Sequence, residues 1–253
     1  MQILLIGYGA MGGALLKGWE AFYHLTVVDP FKENCAKSIE ELPEDYSPHV
    51  IIIAVKPQIL DQVISPYAKF NKALFISIAA GIPYENYLKW LGAKSRLCRV
   101  MPNLPVMVSQ GASAYVLNEN CSSADDGIVK NLFEKVGIVK KLDSEGLFDA
   151  VTALSGSGPA YVYYLCECLE NAGIELGLEP EFAAQFARQT IIGSALTLKE
   201  SASAPSLLRT NVTSPKGTTE AALKVLMHEN NLQKIFSNAL RAAHDRAREL
   251  AKS

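Results

Sequence analysis

Excess charge of one sign, long apolar runs and an ordered set of cysteines are all scarce in this chain of 253 residues. Its 24 basic side chains are balanced by 26 acidic ones, for a net charge of −2. That balance argues against a protein held on nucleic acid by bulk charge. The strongest strand-like apolar run, Val50 to Val55, has six residues, where a membrane-spanning helix needs about 20. The apolar start Met1–Ile6 has no basic stretch before it and runs straight into glycine, so no secretory signal is expected. The expectation is a cytoplasmic protein with neither nucleic acid nor membrane as partner. The five cysteines, Cys35, Cys98, Cys121, Cys166 and Cys168, are irregularly spaced. They read as free thiols rather than a disulfide framework. His24, His49, His228 and His244 fall in different predicted elements, so no metal site is expected. No G-x-S-x-G nucleophile motif occurs.

What is present is a chain that is 49% hydrophobic, enough for a sizeable core. Up to about residue 145, strand-like and helix-like pieces alternate. Strands are predicted at Gln2–Ile6, Leu25–Val28, Val50–Val55, Leu74–Ile78, Arg96–Met101, Ser113–Leu117 and Ile138–Leu142. Helices are predicted at Met11–Phe22 and Asp125–Val136. Near-continuous β-branched runs are the mark of buried parallel strands. Alternation with helices gives right-handed βαβ units in a doubly wound sheet. Beyond residue 145 no strand is predicted. Helices are expected from Pro159 to about Leu176, from Pro180, from about Thr218, and from Leu232 to about Leu250. The last carries Leu232, Ile235, Phe236, Ala239, Leu240 and Ala243 on one stripe. Helices with so little polar surface are expected to pack on another copy of the chain, although Phe182, Tyr161, Tyr163 and Tyr164 equally suit an internal core.

Gly7-Tyr8-Gly9-Ala10-Met11-Gly12 is a G-x-G-x-x-G sequence between a predicted strand and a predicted helix. That is the context a dinucleotide loop requires. The first glycine permits the tight turn, the second lets a pyrophosphate approach the backbone, and the third lets helix and strand pack closely. The helix start then offers free N–H groups to the phosphates. A glycine-rich turn without a ligand is the plainer alternative. Asp29 ends the second predicted strand, where a carboxylate accepts from ribose hydroxyls and repels a 2′-phosphate. This leans the cofactor NAD(P)H towards NADH. The alternative is that Asp29 only starts the Asp29-Pro30 turn.

Two further stretches stand in the helical half, Leu154-Ser155-Gly156-Ser157-Gly158-Pro159-Ala160-Tyr161 and Asn211-Val212-Thr213-Ser214-Pro215-Lys216-Gly217-Thr218-Thr219-Glu220. In the second, backbone N–H groups and the hydroxyls of Ser214, Thr218 and Thr219 gather at a helix start, which suits a small carboxylate. It reads equally as an ordinary N-cap turn. With these two stretches, the glycine loop, Ala54-Val55-Lys56-Pro57-Gln58, Ser77-Ile78-Ala79-Ala80-Gly81 and Arg99-Val100-Met101-Pro102-Asn103, the chain resembles the pyrroline-5-carboxylate reductase family over essentially its whole length.

The resemblance implies an α/β fold: a Rossmann-type doubly wound domain over residues 1–145, then an all-helical substrate-binding and dimerisation domain over 146–253. It implies hydride transfer from NAD(P)H to the cyclic imine 1-pyrroline-5-carboxylate, giving proline. A homodimer, and a decamer of five dimers, are the implied assemblies. Gly7, Tyr8, Gly9, Ala10, Met11 and Gly12 match the pyrophosphate loop. Ala54, Val55, Lys56 and Pro57, with Ala79, Ala80 and Gly81, match strand ends lining the cofactor. Met101, Pro102 and Asn103 match the strand end beside the nicotinamide. Glu145 and Asn211 match an acidic and a polar position near the substrate. Ser214, Gly217, Thr218 and Thr219 match the loop that holds the substrate carboxylate and ring nitrogen, with Thr219 as the catalytic hydroxyl. The chain departs from the family at Thr210, usually acidic, and at Lys216, usually glycine. Two other readings remain at this stage. One is a reductase of another small substrate such as a hydroxy acid, with Lys216 as its lysine. The other is a non-catalytic NAD(H)-sensing module.

Overall fold

The computed structural model describes residues 1–250. The chain forms two compact units, Met1–Pro159 together with the stretch from Ala242 onward, and Ala160–Arg241. The first unit contains strands β1 (Gln2–Ile6), β2 (His24–Val28), β3 (Val50–Ile53), β4 (Leu74–Ser77), β5 (Arg96–Met101), β6 (Gly111–Leu117) and β7 (Gly137–Lys141). Its helices are α1 (Ala10–Trp19), α2 (Leu60–Ile64), α3 (Tyr84–Leu91), α4 (Ser123–Glu134) and α5 (Phe148–Val151). The strands form one sheet in the order β2-β1-β3-β4-β5-β6-β7. The predicted strands are all present. The short helices α2, α3 and α5 were not predicted.

Every neighbouring pair is parallel except β5 with β6. The apolar runs alone read as parallel throughout. The reversal follows from chain length: only the segment 102–110 joins Met101 to Gly111, whereas a parallel crossover needs about a dozen residues or more. The β3 strand Val50–Ile53 is fully buried, because helices cover both sheet faces. Leu15 and Trp19 of α1 pack with Val129 and Phe133 of α4 on one face. The Trp19 indole N–H donates to the Leu132 carbonyl at 2.8 Å, which spares it an unmet buried donor. Leu60, Ile64, Tyr87 and Leu91 cover the other face. Each fully buried aliphatic side chain contributes roughly 1.5–3 kcal/mol.

The remaining helices are α6 (Gly158–Glu175), α7 (Pro180–Glu200), α8 (Pro205–Asn211), α9 (Thr218–Met227) and α10 (Asn231–Leu250). Pro180 opens α7 at its first turn, where its missing N–H is harmless. Helix α8 was not predicted. Among the described residues of the second unit only Ala183 and Ala187 are buried hydrophobics, while Tyr164, Phe182, Phe186, Leu196 and Val225 stay exposed. Phe182 and Phe186 stack at 4.0 Å between ring centroids, yet neither is covered. A unit of this size that buries so little apolar surface has no core of its own.

Candidate active site

In an open α/β sheet, ligands bind outside the carboxyl ends of the strands, where the strand order reverses. Here the reversal lies between β1 and β3. The glycine loop follows β1, and Ala54–Pro57 follows β3. Ala79–Gly81 and Met101–Asn103 follow β4 and β5. The register carries Ile6 beside Ile53, Ile53 beside Ser77 and Ser77 beside Arg99. The four predicted cofactor segments therefore stand in a row along one edge of the sheet.

The glycines at the crevice have different jobs. Gly7 has φ +93°, and a Cβ there would sit 2.7 Å from the Ala54 carbonyl oxygen. A Cβ on Gly12 would strike the Gly7 carbonyl. Both positions are closed by backbone. Gly9 caps α1 in extended conformation without a side-chain cap, and a Cβ there would meet nothing within 4 Å. The first-turn amides of α1 lack intrahelical acceptors, and the space beside Gly9 is open.

Asp29 follows β2. Its carboxylate accepts from the Tyr8 N–H at 2.7 Å and from the Phe31 N–H at 2.9 Å. One oxygen thus braces the glycine loop and the other shapes the Asp-Pro turn. The Lys32 ammonium lies over the Tyr8 ring, 4.8 Å from its centroid. At the end of β4, Ser77 Oγ accepts from the Ala79 N–H at 3.2 Å and bonds the Tyr87 hydroxyl. These bonds fix the turn that ends in Gly81, whose φ is +76°. Pro57, Ala80, Gly81 and Met101 line one cleft of about 650 Å³ with Arg99 and Thr152, a size suited to a small ligand.

Glu145 begins a single 3₁₀ turn after β7. Its Oε1 receives Arg99 Nη1 at 2.6 Å. Arg99 is nearly fully buried, and its guanidinium lies over the Phe148 ring at 4.8 Å. The sequence reading gave Arg99 no role. The available signal was a charge within an otherwise apolar strand, because a buried cation needs a partner.

The other predicted substrate residues belong to the second unit. Asn211 ends α8 and is exposed. Ser214, Gly217, Thr218 and Thr219 lie on the turn that opens α9. Gly217 is the N-cap and its N–H bonds the Ser214 carbonyl at 3.0 Å. The first intrahelical bond is made by Ala221, to the Gly217 carbonyl, so the amides of Thr218, Thr219 and Glu220 form an orphan set. Lys216 has φ +60°. With Pro215 before it, this is the pattern of a type II turn, whose third position favours glycine. The Lys216 N–H donates to Glu220 Oε2 at 2.7 Å, a reach-back bond of the capping-box kind. The hydroxyl of Thr210 donates to the Ser206 carbonyl.

Among the described residues no group of three or more His, Cys, Asp or Glu side chains could hold a metal ion. No helix there is long and apolar enough to cross a membrane.

Residues 145–250 match the family described as pyrroline-5-carboxylate reductase dimerisation. Pyrroline-5-carboxylate reductase of Pseudomonas aeruginosa is 38% identical over 99% of this chain and 97% of its own. Among solved structures, a pyrroline-5-carboxylate reductase from Coxiella burnetii superimposes with a TM-score of 0.87 at 35% identity, covering 99% of this chain and 98% of the other. Pyrroline carboxylate reductase of Plasmodium falciparum, crystallised with NADP bound, does so with a TM-score of 0.86 at 32% identity over the same shares.

Proposed function

Because this chain belongs to the pyrroline-5-carboxylate reductase family, we propose that it reduces 1-pyrroline-5-carboxylate to proline at the expense of NAD(P)H. The observation that carries the reading is identity sustained over both units, 38% across 99% of the chain. It outweighs the hydroxy-acid and sensor alternatives, which draw only on the glycine loop or on Lys216.

The residues present fit a dinucleotide. Gly7 and Gly12 are closed by neighbouring backbone, and Gly9 alone opens onto space that a Cβ would fill. Gly7 to Gly12 would hold the pyrophosphate on the start of α1. Ala54 to Pro57, Ala79 to Gly81, Met101 and Pro102 would line the rest of the molecule. Asp29, already fixed by two backbone donors, would set the loop and meet the adenosine ribose. When bound, the reduced nicotinamide supplies the hydride.

The chain's own task is placement. The orphan amides of Thr218, Thr219 and Glu220, with the Ser214 hydroxyl, hold the substrate carboxylate. Glu145 in the first unit and Asn211 in the second are further candidate substrate residues, each within its own unit. Thr219 Oγ1 hydrogen-bonds the ring nitrogen. A hydroxyl titrates too far from neutrality to be an efficient general acid. Thr219 therefore orients the ring nitrogen and passes it a proton from solvent, so that hydride at carbon and proton at nitrogen complete the reduction, and the main gain comes from holding the reacting atoms about 3–3.5 Å apart.

The chain self-associates. The support is the dimerisation match and the exposed apolar side chains of the second unit, which a second copy would cover. The dimer, and five dimers in a decamer, are distinguished by light scattering as twice or ten times the 27.5 kDa of one chain.

The test is loss of reduced-nicotinamide absorbance with 1-pyrroline-5-carboxylate, run in parallel with NADH and NADPH. Turnover with either upholds the reading. Folded protein that binds cofactor but leaves the imine unreduced refutes it.

A further inference from the structure

Strand β5 and the second residue past its end direct three alternate side chains at one segment, 145–156. Arg99 is ion-paired to Glu145 at 2.6 Å. Met101 packs with Phe148 in a small apolar cluster. Asn103 Nδ2 donates to the Ser155 carbonyl at 3.2 Å, and Asn103 Oδ1 accepts from the Ala112 N–H at 2.8 Å. Ser155 Oγ in turn donates to the Ala112 carbonyl at 3.4 Å. Asn103 is buried, and both ends of its carboxamide are engaged.

The Ser155 carbonyl needs such a donor for a reason written in the sequence. The residue four ahead is Pro159, which has no N–H to close an α-helical bond. The chain widens into a π-turn over Thr152–Gly156, closed by the Ser157 N–H on the Thr152 carbonyl at 2.8 Å. Turns of this kind are frequent at functional sites. A Cβ on Gly156 would lie 3.7 Å from Met101 Sδ, so the turn stands directly behind the strand end that carries Met101 and Pro102.

We infer that Asn103 is a positioning residue for the reduction and not a contact of the cofactor: it substitutes for the N–H that Pro159 lacks, and so locks the π-turn, the start of β6 and the Met101-Pro102 strand end into one rigid wall. The inference rests on the reading that this strand end borders the nicotinamide.

The test uses the full chain with Asn103→Asp, Pro159→Ala and the double variant. Asp keeps an acceptor for Ala112 but offers the Ser155 carbonyl no donor. Three quantities are measured: the Kd for NADPH by nicotinamide fluorescence, kcat and KM for the imine, and amide hydrogen exchange over 152–157. For Asn103→Asp the expected result is an NADPH Kd within about threefold of the parent, kcat lower by about tenfold or more, and faster exchange over 152–157. Pro159→Ala restores an N–H at the missing position, so the double variant should recover exchange protection and part of kcat. A tenfold weaker NADPH Kd with unchanged exchange would make Asn103 a direct contact and overturn the inference. So would unchanged kcat and exchange together. If Asn103→Asp alone does not fold, restored folding in the double variant supports the inference and continued failure overturns it. Absence of imine turnover in the parent chain strikes the proposed function instead, and exchange over 152–157 then decides this inference without reference to turnover.

Discussion

Replacing Gly9 by Ala separates the loop's ligand role from its folding role. Gly9 has φ −72° and ψ −169°, which alanine adopts without strain. A Cβ there meets no atom within 4 Å. Stability should therefore stay level or rise by up to about 1 kcal/mol, because alanine has fewer unfolded conformations to lose. The added methyl would project into the space beside the first-turn amides of α1 and hold a pyrophosphate away from them. A hydrogen bond to a charged group is worth about 1.5–3 kcal/mol, and 1.4 kcal/mol is tenfold in affinity. The Kd for NADPH should therefore weaken by about tenfold to a hundredfold while the melting temperature holds. Fluorescence titration of NADPH and a thermal melt of the same preparation read the two quantities. Gly12→Ala is the contrasting variant. Its Cβ strikes the Gly7 carbonyl, so it should lose stability together with binding. Gly9→Ala with parental affinity, or with a melting temperature several degrees lower, would refute the assignment of this loop.

Thr219→Ala should lower kcat/KM for the imine by about tenfold to a hundredfold, the worth of one hydrogen bond to a charged group. Unchanged steady-state kinetics would remove Thr219 from the site, and complete loss of turnover in folded protein would make it more than an orienting group. Lys216→Gly should relax a left-handed backbone position and stabilise the turn by about 1 kcal/mol, read as the denaturation midpoint. Asp126 is held at about 2, chiefly by the Lys130 ammonium and further by Lys141 and Tyr115. Its folded value lies below the unfolded carboxylate value of about 3.9. Its stabilisation is thus complete above about pH 4 and is lost as pH falls towards 2. Asp126→Asn should remove about 1 kcal/mol of that acid-limb dependence, a modest figure because both lysines are half exposed to solvent. Stability curves at pH 2–5 that coincide for parent and variant would reject the account.

Much of the fold was legible because its signals are local. Val50–Ile53 announces a buried strand by four β-branched residues in succession, and Gly7 to Gly12 announces a loop by spacing. Proline at 180 marks a helix start through its own ring. The candidate site segments were named in the same way where their signal lies among neighbours in the chain, as in the glycine loop or the turn before α9. It was not legible where the partners are distant. Arg99 and Glu145 lie 46 positions apart, and Asn103 and Ser155 lie 52 apart. Nothing in the sequence pairs them. The Asp29 carboxylate was read as a ribose acceptor or a turn residue, and in the structure it also braces Tyr8 across 21 positions. The antiparallel return of β6 was missed because apolar runs carry no direction.

Short-range signals in the chain account for the strands, the glycine loop, the helical half and Pro159, whose ring leaves the Ser155 carbonyl without its helical donor. These are consequences of side-chain shape and backbone chemistry within a few residues. Which strand ends share the crevice, that Arg99 is neutralised by Glu145, and that Asn103 answers the Ser155 carbonyl emerge once the chain is folded. The physical reason is that burial removes water as the default partner. Each buried donor, acceptor and charge must then be met by whatever the fold brings within about 3 Å, and that choice is made by topology.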